Sequence, residues 1–208
     1  MQTPPTVVFD LGNVLIRWDP RNLYRTLFDD ETEMETFLSE VCSPAWNEEQ
    51  DRGRLWEDAI AEAIARHPQE EKRIRAYDER WEETIIGAIE ETVAILDELR
   101  SKHIRLLALT NWSAEKFPVA LERYPFLQWF EGILVSGEEK LIKPDPAIFE
   151  LLASRYRLDP ARTVFIDDSM RNIDSAASLG FIALHFTDAE KLRKDLIAKG
   201  LPLAHAGT

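Results

Sequence analysis

Residues 7–15 read Val-Val-Phe-Asp-Leu-Gly-Asn-Val-Leu, an apolar triplet that halts at Asp10. The pattern of a short apolar run stopped by a polar residue recurs along the chain. Ile104 to Leu109 stops at Thr110-Asn111, Gly132 to Val135 at Ser136-Gly137, and Val164 to Ile166 at Asp167-Asp168, while Phe181 to Leu184 follows Gly180. The runs are rich in Val, Ile, Leu and Phe and continuous rather than alternating, as expected of strands covered on both faces. Between them, Val93, Leu96 and Leu99, then Ile148, Leu151 and Leu152, then Ile173, Ala176 and Ala177 form apolar stripes at helical spacing. Pro144 and Pro146 open the second of these helices and Gly180 closes the third. Strand alternating with helix predicts parallel pairing through right-handed crossovers, hence a doubly wound α/β core.

One interval breaks the alternation. Residues 18–88 offer no convincing strand but carry Glu, Arg, Trp and Ala at helical density, as in Trp56 to Arg66. A connection of that length is far more than a strand-to-strand crossover needs. It predicts a helical insertion, left near Ile86-Gly87, that divides a core of residues 1–17 and 89–208. The tail from Leu201 to Thr208 reads as a frayed terminus.

Composition narrows the function. The chain has 208 residues, 45% hydrophobic and 30% charged, enough apolar side chain for a packed core. Its 25 Lys and Arg against 38 Asp and Glu leave a net charge of −13, which disfavours nucleic acid and anionic membrane as partners. A single cysteine, Cys42, excludes an intrachain disulfide and a Cys-ligated metal centre. No apolar run approaches the roughly 18 residues of a membrane span, and the N-terminus lacks the pattern of a secretory signal. The expectation is a soluble cytoplasmic protein, monomer or homodimer.

Ligands of open α/β sheets sit at the carboxyl ends of the strands. There this chain places Asp10, Thr110 with Asn111, and Asp167 with Asp168, and Lys143 follows the third run within Lys140 to Pro146. Three carboxylates at one sheet edge repel one another by several kcal/mol in a partly buried site. Lys143 offsets one of them. A divalent cation would offset the rest, and an all-oxygen donor set favours Mg²⁺. Such a site wants an anionic substrate, its oxygens held by the cation, Lys143 and a hydrogen bond from Thr110, with Asp10 placed to attack phosphorus.

Phe9-Asp10-Leu11-Gly12-Asn13-Val14-Leu15, Leu109-Thr110-Asn111, Lys143-Pro144-Asp145-Pro146 and Phe165-Ile166-Asp167-Asp168 resemble, in order, the four motifs of the haloacid dehalogenase (HAD) superfamily, whose core is Rossmann-like. The resemblance extends through Asn172-Ile173, and the early insertion is similar to that family's small helical cap. It implies that Asp10 is the nucleophile, Thr110 the phosphate hydrogen-bond donor and Lys143 the charge partner. It also implies that Asp168 and Asp167 are metal carboxylates, Asp167 either directly or through water, and that the Gly12 main-chain carbonyl is a further metal ligand alongside Asp10. Asn111 and Trp112 are candidate substrate contacts, Asn111 reading alternatively as a residue that holds the loop.

Gly12 departs from the pattern. Family phosphatases usually carry Asp there, which protonates the leaving oxygen and later activates water, help worth about 10² to 10⁴ in rate. Three readings follow: a substrate with a good leaving group, such as a sugar 1-phosphate or acyl phosphate; an acid supplied by the cap, with Asp19 or Glu49 as candidates; or chemistry other than phosphoryl transfer. The Asp-Leu-Gly-Asn-Val form resembles that of small bacterial sugar-phosphate phosphatases, which favours the first. The rivals to a phosphatase are a metal-independent 2-haloacid dehalogenase and a phosphate-binding regulator without turnover. Family dehalogenases need no metal and typically carry Ser-Ser-Asn where this chain has Asp167-Asp168, so phosphatase is preferred.

Trp112 reads either as core packing or as an aromatic wall. Trp18, Trp46 and Trp56 read as the core of the insertion, Arg52 and Arg54 as solvated, and Asn172 either as an early-helix residue bound to backbone or as a site residue. His67, His103, His185 and His205 lie near no motif and show no ligand spacing, and Cys42 reads as a buried small apolar residue.

Overall fold

The apolar triplet Val7, Val8 and Phe9 is fully buried, because it forms the middle strand of a sheet with helices on both sides. A computed structural model describes residues 5–204. Their strands, in chain order, are β1 Thr6–Phe9, β2 Ile16–Trp18, β3 Ile85–Ala88, β4 Leu106–Thr110, β5 Gly132–Val135, β6 Thr163–Asp167 and β7 Ile182–His185. The helices are α1 Arg21–Tyr24, α2 Glu31–Glu40, α3 Pro44–Asp51, α4 Trp56–Arg66, α5 Glu71–Glu79, α6 Glu90–Ser101, α7 Phe117–Arg123, α8 Ser136–Glu139, α9 Pro146–Tyr156, α10 Met170–Ser178 and α11 Ala189–Ala198.

Five strands pair in parallel in the order β5-β4-β1-β6-β7. Val7 lies opposite Leu106 on one side and Val164 on the other. Side chains alternate across the sheet with period two. Val7 and Phe9 pack with Ile95, Leu96 and Leu99 of α6 and Leu192 and Leu196 of α11. Val8 joins Ile148, Phe149 and Leu152 of α9 and Ile173 and Ala176 of α10. Two details of the expected stripes differ. Phe149 is fully buried beside Ile148 and Leu152 while Leu151 packs at the cluster's margin, and Ala177 is exposed while Ala176 carries the contact. Pro146 opens α9 behind the Asp145 N-cap, and Pro144 stays outside the helix.

Residues 18–88 do contain a strand, contrary to expectation. β3 pairs antiparallel with β2 as a two-stranded ribbon. A ribbon this short leaves no apolar pattern in the sequence because it buries little: Ile86 is exposed and Gly87, at φ 157°, contributes no side chain. Between the two strands run α1 to α5, whose core is aromatic. Tyr24 meets Phe37 and Tyr77 at centroid distances of 4.9 and 5.7 Å, and Trp56 meets Trp46 and Tyr77 at 5.7 and 5.5 Å.

The end of the chain is docked as far as it is described. Leu201 and Leu203 are buried, and the Ala204 N–H donates to Glu98, which also pairs with Arg193. The rest of the expected frayed tail, with His205, lies outside the described residues. No helix among them is long and apolar enough to cross a membrane.

Candidate active site

β4 and β6 flank β1 in parallel, so the three strands end side by side, about 4.8 Å apart. Asp10 follows β1, Thr110 ends β4, Asp167 ends β6, and Asp168 comes next. The Asp10 N–H donates to the Ile166 carbonyl at 2.8 Å, which ties the nucleophile candidate to β6. Lys143 enters on the loop between α8 and α9.

Lys143 is buried, and its three ammonium protons meet three acceptors. Nζ lies 2.9 Å from Asp10 Oδ1, 2.6 Å from Asp167 Oδ2 and 3.0 Å from the Leu109 carbonyl. Burial alone would lower its pKa, but the Asp10 and Asp167 carboxylates overcome that and hold it above the usual lysine value. Asn111, a candidate substrate contact that lines the cleft, also clamps this lysine. Its Oδ1 accepts from the Lys143 N–H at 2.9 Å, and its Nδ2 donates to the Lys143 carbonyl at 3.0 Å.

Asp10, Asp167 and Asp168 each bring a carboxylate oxygen to within 4.8 Å of the others. At that distance and an effective dielectric constant near 20, two ionised groups repel by ~3 kcal/mol. One ammonium against three carboxylates leaves the cluster short of positive charge. The pKa values record this. Burial, opposed by Lys143 and aided by Asp167 and Asp168, pushes Asp10 up to about 7. Partial enclosure, then Asp167, raises Asp168. A divalent cation is the chemical species that such a donor set lacks.

The three carboxylates are not equivalent. Both Asp167 oxygens are occupied: Oδ1 accepts from the Ser169 N–H at 2.8 Å and Asn172 at 2.9 Å, and Oδ2 accepts from Lys143 and from Asn172 at 3.1 Å. Expected among the metal carboxylates, Asp167 also anchors Lys143 and is one of the three acids whose oxygens could share an ion, while the more open Asp10 and Asp168 line the cleft. Asn172 is thereby a site residue that orients Asp167. His185, expected near no motif, lies opposite Asp167 in β7, with Nε2 3.0 Å from the Asp168 carbonyl. Strand register brought it there, and seventeen intervening residues hid it.

Thr110 is fully buried, and its hydroxyl has no partner among the described residues. Leaving such a group unsatisfied costs about 1–3 kcal/mol, so its O–H is free to donate to an acceptor oxygen. Trp112 turns out to be both core and wall. It packs on Trp81 and Phe117, each at 5.8 Å, and lines a side pocket of about 120 Å³.

That pocket is walled by Trp18, Trp81 and Trp112, with Gly12, Asn47, Asp51, Asn111 and Ser113. It adjoins the main cleft, of about 370 Å³, whose lining includes Asp10, Gly12 and Asp168 at the strand ends, Lys143 of the α8–α9 loop, Arg171 of α10, and Asn47, Glu48 and Asp51 from α3. Trp18 therefore faces the cleft, whereas Trp46 and Trp56 do pack inside the helical segment. The α3 residues were not singled out from sequence, since nothing in Asn47 to Asp51 marks which helix face turns inward. Asp19 and Glu49 line neither space. Asp19 accepts from the Arg21 N–H at 2.9 Å, and Glu49 pairs with Arg52 at 3.7 Å. Arg54 is held by Gln50, Glu62 and the Trp46 carbonyl.

Comparison with known proteins places this geometry in context. The model of the haloacid dehalogenase-like hydrolase family matches residues 4–180. A sesquiterpene phosphatase of Aspergillus oryzae is 25% identical over 182 residues, which cover 88% of this chain and 89% of that protein. The N-acylneuraminate-9-phosphatase of Rattus norvegicus is 32% identical over 118 residues, 55% of this chain and 47% of that enzyme. Among solved structures, a HAD family enzyme from Bacteroides thetaiotaomicron, in complex with magnesium and inorganic phosphate, superimposes with a TM-score of 0.68 at 23% identity, covering 89% of this chain and 95% of that one. That likeness is one of fold.

Proposed function

The chain belongs to the haloacid dehalogenase-like hydrolases, and on that footing we propose that it is a magnesium-dependent phosphatase of a small phosphorylated metabolite, acting through an aspartyl-phosphate on Asp10. The observation that carries this reading is the clustering of Asp10, Asp167 and Asp168 around one buried lysine, beside an unpartnered threonine hydroxyl. A divalent cation would relieve the repulsion within the cluster, and with Thr110 it would suit a multiply charged oxyanion. A dehalogenase working without metal would bring a carboxylate substrate against uncompensated negative charge.

Both hydrogen-bonding partners of the Asp10 carboxylate, the Leu11 N–H at 2.7 Å and Lys143, sit on Oδ1, so Oδ2 is the atom left to attack phosphorus. Lys143 favours the ionised form of Asp10 that attack needs, and Thr110 donates to a phosphoryl oxygen. Asp10, Asp168 and the Gly12 carbonyl would hold magnesium, with Asp167 behind them, and the ion would supply charge neutralisation for the transferring group. Positioning and electrostatics of this kind provide most of the catalysis in phosphoryl transfer.

The same reading makes residues 18–88 a cap over a core of residues 1–17 and 89–208, with Asn47, Glu48 and Asp51 of α3 reaching the cleft. It also bears on the substrate. A side pocket walled by three tryptophans receives a compact group that is apolar or offers a face for stacking. A phosphate ester of an isoprenoid-type alcohol fits that description, in keeping with the sesquiterpene phosphatase among the relatives, as does a sugar phosphate lying on an indole face. A screen of prenyl and sugar phosphates with and without Mg²⁺ tests the function, with Asp10→Asn as the blank. Equal phosphate release by the wild type and that variant would end the proposal.

A further inference from the structure

Gly12 leaves space as well as lacking a side chain. A Cβ built there meets nothing within 4 Å, so the position where the family pattern has an acid opens onto the cleft. Across that space stands Asp51, at the end of α3. It lines both the main cleft, with Asp10 and Lys143, and the tryptophan pocket, with Trp18 and Trp112. An ester whose phosphorus faces Asp10 and whose organic group enters the pocket must carry its bridging oxygen past the junction of the two spaces. Asp51 is at that junction.

We propose that Asp51 supplies the proton to the leaving oxygen and then takes one from the hydrolytic water, the work for which Gly12 has no group. The inference rests on the phosphatase reading. In the first step an Asp10 oxygen bonds to phosphorus, the ester P–O bond breaks with its electron pair moving to oxygen, and that oxygen takes the Asp51 proton to leave as alcohol. In the second, water attacks the phosphorus of the aspartyl-phosphate while its proton passes to the Asp51 carboxylate. The P–O bond to Asp10 breaks, its electron pair restoring the Asp10 carboxylate, and Asp51 is again protonated.

The surroundings hold Asp51 for this purpose. Asn47 Nδ2 donates to Asp51 Oδ2 at 3.2 Å. The Asp51 carbonyl accepts from Ser136 Oγ at 2.5 Å, and Ser136 Oγ in turn accepts from the Trp112 N–H at 2.9 Å, which fastens the helix end to the β4 loop. Two glycines permit that approach. Gly53 has φ +98°, and a Cβ there would stand 2.9 Å from the Gly137 carbonyl; a Cβ on Gly137 would stand 2.4 Å from the Ala114 nitrogen. Burial first, then Glu48 on the same helix, push the Asp51 carboxyl up to about 7, against the Ser113 N–H and Lys143. Tyr77 of α5 also faces it, and Asp10 and Asp168 lie across the cleft. Glu48, the other acid of α3 on the cleft, does not reach the side pocket.

The test is the dependence of rate on the leaving group. Wild type and Asp51→Asn are assayed with Mg²⁺ on an alkyl phosphate and on p-nitrophenyl phosphate, whose leaving group needs no proton. Loss of the acid is expected to slow the alkyl ester by about 10² to 10⁴. With the nitrophenyl ester the variant is expected to show a burst of one nitrophenol per chain followed by slow turnover, because phosphorylation survives and hydrolysis of the acyl-phosphate lacks its base. Gly12→Asp added to Asp51→Asn is expected to recover part of the alkyl rate. Equal loss on both esters without a burst, or wild-type rates in Asp51→Asn, would overturn the assignment. If the variant does not fold, the wild type alone decides: kcat/KM nearly independent of leaving-group pKa supports a proton donor, and a steep dependence overturns it. A folded wild type that releases phosphate from no ester fails the phosphatase reading itself, a result distinct from these.

Discussion

Replacing Asp10, the proposed nucleophile, should stabilise the protein. The Asp10 carboxyl, buried beside Asp167 and Asp168, ionises at about 7 in the folded chain, against 3.8 for the free group. At ~1.4 kcal/mol per pH unit, holding it ionised costs the folded state up to ~4 kcal/mol at pH 8 without a divalent cation. Below about pH 4 both folded and unfolded states keep the proton and the cost vanishes. Between about pH 4 and 7 only the folded state keeps it, so stability falls as pH rises; above 7 both have lost it and the cost levels off. Asp10→Asn removes this burden while its amide oxygen can still accept from Leu11 and Lys143, and Lys143 keeps Asp167 and the Leu109 carbonyl. Urea denaturation in EDTA is therefore expected to find the variant more stable than wild type by ~1–4 kcal/mol at pH 8, the range allowing for the weakened ion pair. The gain should shrink by ~2 kcal/mol at pH 5.5. In melting curves each kcal/mol corresponds to roughly 2–4 °C for a chain of this size. Added Mg²⁺ should narrow the gap, since a cation that binds the folded wild type stabilises it by mass action. A variant less stable than wild type at pH 8, or a gain that does not change with pH, would refute the electrostatic account of the cluster.

Thr110→Val should be neutral or stabilising by up to ~1 kcal/mol, because it removes a buried hydroxyl that has no partner, yet it should lower phosphatase kcat/KM by about tenfold. Parallel melting curves and kinetics check both halves. Gly137→Ala should destabilise by ~1–3 kcal/mol, since its Cβ would stand 2.4 Å from the Ala114 nitrogen and 2.8 Å from the Trp112 carbonyl. The same substitution should disturb the seat of Asp51, so kcat is expected to fall more than KM rises.

The five core strands and the residues at their ends were legible in the linear chain because each reports a local property, whereas the order of those strands in the sheet was not. A continuous apolar run buries on both faces wherever it lies, and the polar residue that stops it falls at the strand's end, which placed Asp10, Thr110, Asp167 and Asp168 on one edge. The aromatic and helical character of residues 18–88 was legible for the same reason. What the chain did not disclose depends on contacts between segments far apart in sequence. Asp167 has both oxygens occupied because Asn172, Ser169 and Lys143 converge on it, and no spacing in the sequence states which oxygens remain free. Asn111 clamps Lys143 across 32 positions, and His185 reaches Asp168 only through the register of β6 and β7. The ribbon of β2 and β3 buries too little apolar surface to leave a pattern. Asp51, one of many acidic residues in a helical stretch, differs from Asp19 and Glu49 only in where the approach of Gly53 to Gly137 sets it down. Burial and partner together determine the chemistry of a carboxyl group, and both are properties of the tertiary structure.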